Sequence, residues 1–167
     1  MKQVKLYNVI FPIWLLLFFP PTVFLTLAGN FIIDSLIVIA CYFLFHPNKD
    51  LNWLSFYKGS IIKVWLFGFM ADIIGVIILF GCIGFQEFLG LSNEVIKGIS
   101  YDPFSNVLST ILLLMSMIIS GLCIILFNYR FTFSNLIEEE LPRWKVAAFI
   151  GITTLPWTFL LPTKWFY

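Results

Sequence analysis

The chain has 167 residues, of which 60% are hydrophobic and only 11% charged, with a mean hydropathy of +0.98. A soluble domain is about half apolar and about a quarter charged, and ten Lys/Arg with nine Asp/Glu cannot cover a water-facing surface of this size. The composition is that of an integral membrane protein, and a net charge of +1 offers no clustered basic face to a nucleic acid.

A membrane-crossing helix takes about 20 mostly apolar residues. The first apolar block, 9–45, is too long for one such helix and barely enough for two. It is interrupted at Pro20-Pro21, which removes two backbone donors, and at Gly29-Asn30, a turn dipeptide that tolerates positive φ. These breaks predict a tight hairpin with spans at 9–27 and 30–45, either crossing fully or re-entrant. Lys2 and Lys5 precede the run, and Thr26-Leu27-Ala28 resembles a leader-cleavage site. The double proline interrupts that pattern, so a retained hairpin is expected.

Segment 46–60, with Trp53, is too polar to span and is expected along the cytoplasmic interface. A third span follows at 61–85, then an extracytoplasmic loop at 86–103. Asp102-Pro103 reads as an N-cap with proline at the first helical position, opening a fourth span at 104–129. A cytoplasmic loop at 130–143 leads to a fifth span at 144–162. Glu138, Glu139 and Glu140 lie just before Pro142, where negative charge suits a helix N-terminus. Trp14, Trp65, Trp144, Trp157, Trp165 and Tyr167 fall mostly near span ends, as an aromatic belt requires. The expected fold is an all-α polytopic membrane protein, one compact bundle of about five helices over 1–167.

Basic residues set the orientation. Lys2, Lys5, Lys49, Lys58, Lys63, Arg130, Arg143 and Lys145 fall on one side of this layout, and Lys97 and Lys164 on the other. The bias predicts a multi-pass cell-membrane protein with a cytoplasmic N-terminus and an extracytoplasmic C-terminus.

Helices in lipid associate through small and polar residues. The third span carries Gly68, Asp72, Gly75, Leu79 and Cys82 on one stripe. The fourth carries Ser105, Ser109, Leu112, Ser116, Ser120 and Cys123, and the second Asn30, Asp34, Ile37 and Cys41. Counting inward from the cytoplasmic ends puts Asp72 and Ser120 at similar depth, so a hydrogen bond between them is expected.

Ionisable groups inside a span mark functional sites by default. Asp72, near mid-span with no basic residue in the membrane core, is the first candidate. Asp34, Asn30, Ser120 and Ser116 complete the set of intramembrane polar candidates. No catalytic residue, metal or cofactor is expected. Cys41, Cys82 and Cys123 form no CxxC, and a small apolar packing role is expected of them. His46 has no second ligand at a metal-binding spacing. The GxSxG, GxxxxGK[ST] and HExxH motifs are absent.

Three readings of function follow. The first is a non-enzymatic accessory or assembly subunit of a membrane complex. The second is a small proton- or cation-linked transporter or channel-type protein using Asp72. The third is an intramembrane aspartyl protease using Asp34 and Asp72. Gly29-Asn30-Phe31-Ile32-Ile33-Asp34 resembles the GNxxD motif of the lipoprotein signal peptidases, with one extra residue before the aspartate, and Ala71-Asp72 resembles their second Ala-Asp. That resemblance implies paired carboxyls acting on water. Besides the lipid bilayer, a homo-oligomer or a membrane-protein partner is expected.

Overall fold

In lipid every backbone donor and acceptor must be satisfied within the protein, so an apolar chain without strand pairing settles into helices. The computed structural model describes residues 22–47 and 51–165 and is helical, with no strand among them. Helix α1 spans Thr22–Phe45, α2 Trp53–Gly84, α3 Asn93–Ser100, α4 Val107–Phe127 and α5 Glu140–Thr153. A π-helical turn, Asn128–Thr132, extends α4, and two 3-10 turns, Trp157–Leu160 and Thr163–Trp165, follow α5. Three segments are long and apolar enough to cross a membrane: Phe24–Phe45, Trp53–Gly84 and Val107–Thr132.

The expected break at Gly29-Asn30 does not occur, because α1 runs through it without interruption. A turn there would expose unpaired backbone in an apolar stretch, a larger cost than the weak helix propensity of Gly and Asn. The helix ends instead at His46, whose φ of +43° and N–H to the Tyr42 carbonyl (3.0 Å) form a left-handed cap before Pro47. The proposed partner span at 9–27 lies mostly outside the described residues.

Helix α2 starts well before 61. Asn52 caps it, its Oδ1 accepting from the Ser55 N–H at 2.8 Å, and no proline interrupts the way to the apolar run. With 32 residues it is about 48 Å long against a hydrocarbon core of about 30 Å, so part of it lies beyond that core or it is tilted. The expected 86–103 loop contains α3, capped by Ser92 and bearing Glu94 in its first turn and Lys97 in its last.

Asp102-Pro103 does not open α4. The cap is Asn106, whose Oδ1 accepts from the Leu108 N–H at 2.8 Å, while Asp102 pairs with Lys164 at 2.6 Å. Helix α5 starts at Glu140, as the acidic run before Pro142 suggested, but stops at Thr153 instead of reaching 162. Its 14 residues make about 21 Å, short of a full crossing. Pro156 is the reason: it offers no N–H to the Ile152 carbonyl, so the α-helical ladder cannot continue.

The four long helices close a ring. Helix α2 packs against α1 and α4, and α5 packs against α4 and α1. One apolar cluster, with Val38, Phe56, Val64, Ile124, Phe133 and Ile150, fills one end. A second, with Leu79, Ile99, Leu113, Met117 and Phe159, fills the other. Lys63 reaches the Phe131 carbonyl at 3.4 Å at the first end, and Lys164 meets Asp102 at the second.

Candidate functional site

Between the two clusters the interior turns polar. Thr26, Asn30 and Asp34 recur every four residues along α1 and so share one face. Gly68 and Asp72 do the same on α2. These residues, with Phe69 and the segment from Thr153 to Phe159, line a cavity of about 240 Å³. Asp34 is buried, at 6% exposure, and Asp72 is half-buried. Both carboxyls line this one cavity. An added Cβ on Gly68 would stand 3.9 Å from the Asp34 Oδ2, in ordinary van der Waals contact, which places Gly68 directly opposite that carboxyl.

The register between α2 and α4 follows the sequence expectation. Ser120 donates to the Asp72 Oδ1 at 3.2 Å. One turn further on, Ser116 donates to the Gly75 carbonyl at 2.7 Å. Both serines are fully buried, and neither lines the cavity. Ser120 orients Asp72 from behind, and Ser116 ties the backbones of two helices together. Asp34, Asn30 and Asp72 therefore meet at one cavity, while Ser120 touches it only through Asp72.

The third wall is the end of α5, which no sequence pattern singled out. Thr153 returns its hydroxyl to the Phe149 carbonyl at 2.7 Å, and Thr154 sends its hydroxyl (2.8 Å) and its N–H (2.9 Å) to Ile150. Beyond them the chain is irregular through Leu155 and Pro156 and then tightens into the first 3-10 turn. Gly75 makes this possible. A Cβ there would fall 2.7 Å from the Phe159 Cε2, so only glycine lets the Phe159 ring seat against α2. Trp65, outside the lining, ties α2 to α1, its Nε1 donating to the Leu27 carbonyl at 3.0 Å.

Irregular backbone at membrane depth is tolerated where protein buries it or a polar cavity hydrates it, and here a polar cavity adjoins it. The electrostatics have one sign. Two carboxyls and the negative end of the α5 dipole face the cavity, and no basic side chain lines it among the described residues. The neutral groups, the Asn30 carboxamide and the hydroxyls of Thr26, Thr153, Thr154 and Thr158, can each offer an oxygen. Thr153, Thr154 and Thr158 went unnoticed in sequence. The available signal was Thr-Thr-Leu-Pro inside an otherwise apolar run, a pattern that marks a broken helix.

The cysteines are free and unpaired with one another, with Cys41 buried in the first apolar cluster and Cys82 and Cys123 packed against the two clusters. Among the described residues no three His, Cys, Asp or Glu side chains converge to hold a metal ion. Comparison with protein-family models, with curated proteins and with solved structures finds no match to this chain.

Proposed function

We propose that the cavity binds a proton or a small monovalent cation, and that the protein carries it across the membrane. The observation that carries this reading is the convergence of Asp34 and Asp72 on one cavity with the broken end of α5 and no basic group on the described lining. Two carboxyls lining one partly buried cavity favour a proton or a bound cation there. Transporters place cation sites at such interrupted helices, where a C-terminal helix end and side-chain oxygens replace water. A volume of about 240 Å³ suits a partly hydrated ion better than an extended peptide, since even small-molecule pockets run from about 300 Å³ upward. Size therefore favours the cation over the substrate of an aspartyl protease.

With few spans available for a pathway, the transporting unit is a homo-oligomer or includes a membrane-protein partner. The basic end of the bundle, with Lys63 and Arg130, faces the cytoplasm in this reading.

The test uses the full chain in liposomes, with an internal pH dye and imposed sodium or potassium gradients. Asp72→Asn is expected to lower the flux at least about tenfold, the loss of roughly one charge-assisted contact in the site. A wild-type flux in that variant would remove Asp72 from the mechanism. If the wild-type protein gives no flux of any of the three ions and instead purifies with a stoichiometric membrane partner, the accessory-subunit reading replaces this one.

A further inference from the structure

The polar line does not end at Asp72. Helices α2 and α4 are antiparallel, matched by Ser120 with Asp72, by Phe127 with Phe67 (ring centroids 5.5 Å apart) and by Phe131 with Lys63. Continued toward the basic end, that register sets Asn128 within about half a turn of Val64 and Thr132 within about half a turn of Ser60. Asn128 is about 12 Å along the helix from Ser120. Asn128, Thr132 and Ser60 are all fully buried.

Two of these side chains are unsatisfied. Asn128 Nδ2 donates to the Ile124 carbonyl at 2.9 Å, but its Oδ1 has no partner among the described residues. Thr132 Oγ1 has none either. Most buried hydroxyls find at least a neighbouring backbone carbonyl, as Ser60 does with Phe56 at 2.8 Å. Both orphaned oxygens belong to the π-helical turn, a distortion that often accompanies function. A hydroxyl and a carboxamide oxygen buried without partners cost stability that Val and Leu would not. Packing alone does not account for them.

We propose that Asn128 and Thr132 form an inner station on the cation's route, a pair of buried oxygens occupied by the migrating ion or by the water that relays its proton. The station lies at the basic end of the bundle, in the same π-helical turn as Arg130, and the proposal rests on the cavity being the outer binding site. Two uncharged oxygens hold a cation far more loosely than two carboxyls, which is what an exit step requires: binding strong enough to enter and weak enough to leave.

Thr132→Val keeps the shape and removes only the hydroxyl, and Thr132→Ser keeps the hydroxyl. The full chain in liposomes is assayed with proton, sodium and potassium gradients, which separates a relayed proton from a migrating metal ion. Cation binding at the cavity is read independently, from the Asp72 carboxyl band in infrared difference spectra. The expected result is at least a tenfold loss of flux in Thr132→Val and Asn128→Leu, wild-type flux in Thr132→Ser, an unchanged carboxyl band in all three, and a melting temperature in Thr132→Val no lower than wild type. Wild-type flux in Thr132→Val and Asn128→Leu with the carboxyl band intact overturns the inner station and leaves the cavity standing. Absence of any cation-dependent carboxyl band in the wild-type protein overturns both.

Discussion

The two ends of the α2–α4 interface solve the same packing problem with different materials. Toward the basic end, rings do the work. Phe56 stacks on Phe133 with centroids 5.6 Å apart, Tyr42 leans on Phe56, and Phe67 meets both Phe127 and Phe131. Toward the opposite end, small residues bring the helices together: Gly75 admits Phe159, and Ser116 bonds across to the backbone. Aromatic packing fills space, and the polar atoms it leaves without partners among the described residues include the Asn128 and Thr132 oxygens of the π-helical turn. Close backbone approach at glycine seats Phe159 against α2, and the segment that carries Phe159 walls the cavity. In lipid, where the hydrophobic effect does not drive helices together, both arrangements depend on contact area and polar bonds, yet only the second adjoins the aspartate cavity.

This contrast fails first, and most visibly, at the aromatic end. Phe56→Ala removes a fully buried ring from between Tyr42 and Phe133 and is expected to cost about 3–5 kcal/mol. Denaturant titration in detergent micelles measures it. A cost under about 1 kcal/mol would mean that the ring cluster does not hold this end together. Ion binding at the cavity should survive in whatever fraction stays folded, because Phe56 is not part of its lining.

The next test lies where α4 meets α5. A Cβ on Gly151 would come 3.0 Å from the Gly121 carbonyl oxygen and would also press on Ile125, so Gly151→Leu must push α5 away from α4. Overpacking of this kind costs about 1–3 kcal/mol, less than the lost phenylalanine. Its effect on function should be the larger of the two, because Thr153 and Thr154 follow directly and carry the third wall of the cavity. Stability close to wild type together with lost ion binding would sharpen the contrast. Lost stability with unaltered binding would break it.

How much of this was legible in sequence depends on which force decides each element. The Asp72–Ser120 pairing was readable because antiparallel helices of known rise fix relative depth, and both residues sit on small-residue stripes. The membrane class was readable from composition, and the helical class from the length of the apolar runs. Gly29-Asn30 misled because turn propensity is a solution preference of a few tenths to about one kcal/mol, and lipid penalises each unpaired backbone group by several. Asp102-Pro103 misled for a different reason: Lys164, distant in sequence, claims the carboxylate, and Asn106 lies closer to the apolar run. The wall formed by Thr153–Thr158 was hidden because apolar periodicity does not register a single proline. The π-helical turn had no sequence signal beyond Asn128 and Arg130 at the end of a hydrophobic run.

The smallest effect is also the most discriminating, because the two polar levels of α4 should respond with opposite signs. Ser120 and Thr132 are both fully buried hydroxyl residues. Ser120 has a partner in Asp72, and Thr132 has none among the described residues. Ser120→Ala should therefore lower stability by roughly 0.6 kcal/mol, the average for an interhelical hydrogen bond in a membrane, because it leaves a carboxyl oxygen with one donor fewer. The measurement is a paired unfolding titration of Ser120→Ala and wild type under one detergent condition. An unchanged or raised midpoint would show that water in the cavity already serves Asp72 as well as the serine does. The partnered hydroxyl would then be as dispensable to the fold as the orphaned one, and the distinction between a satisfied outer level and an unsatisfied inner one would lose its energetic basis.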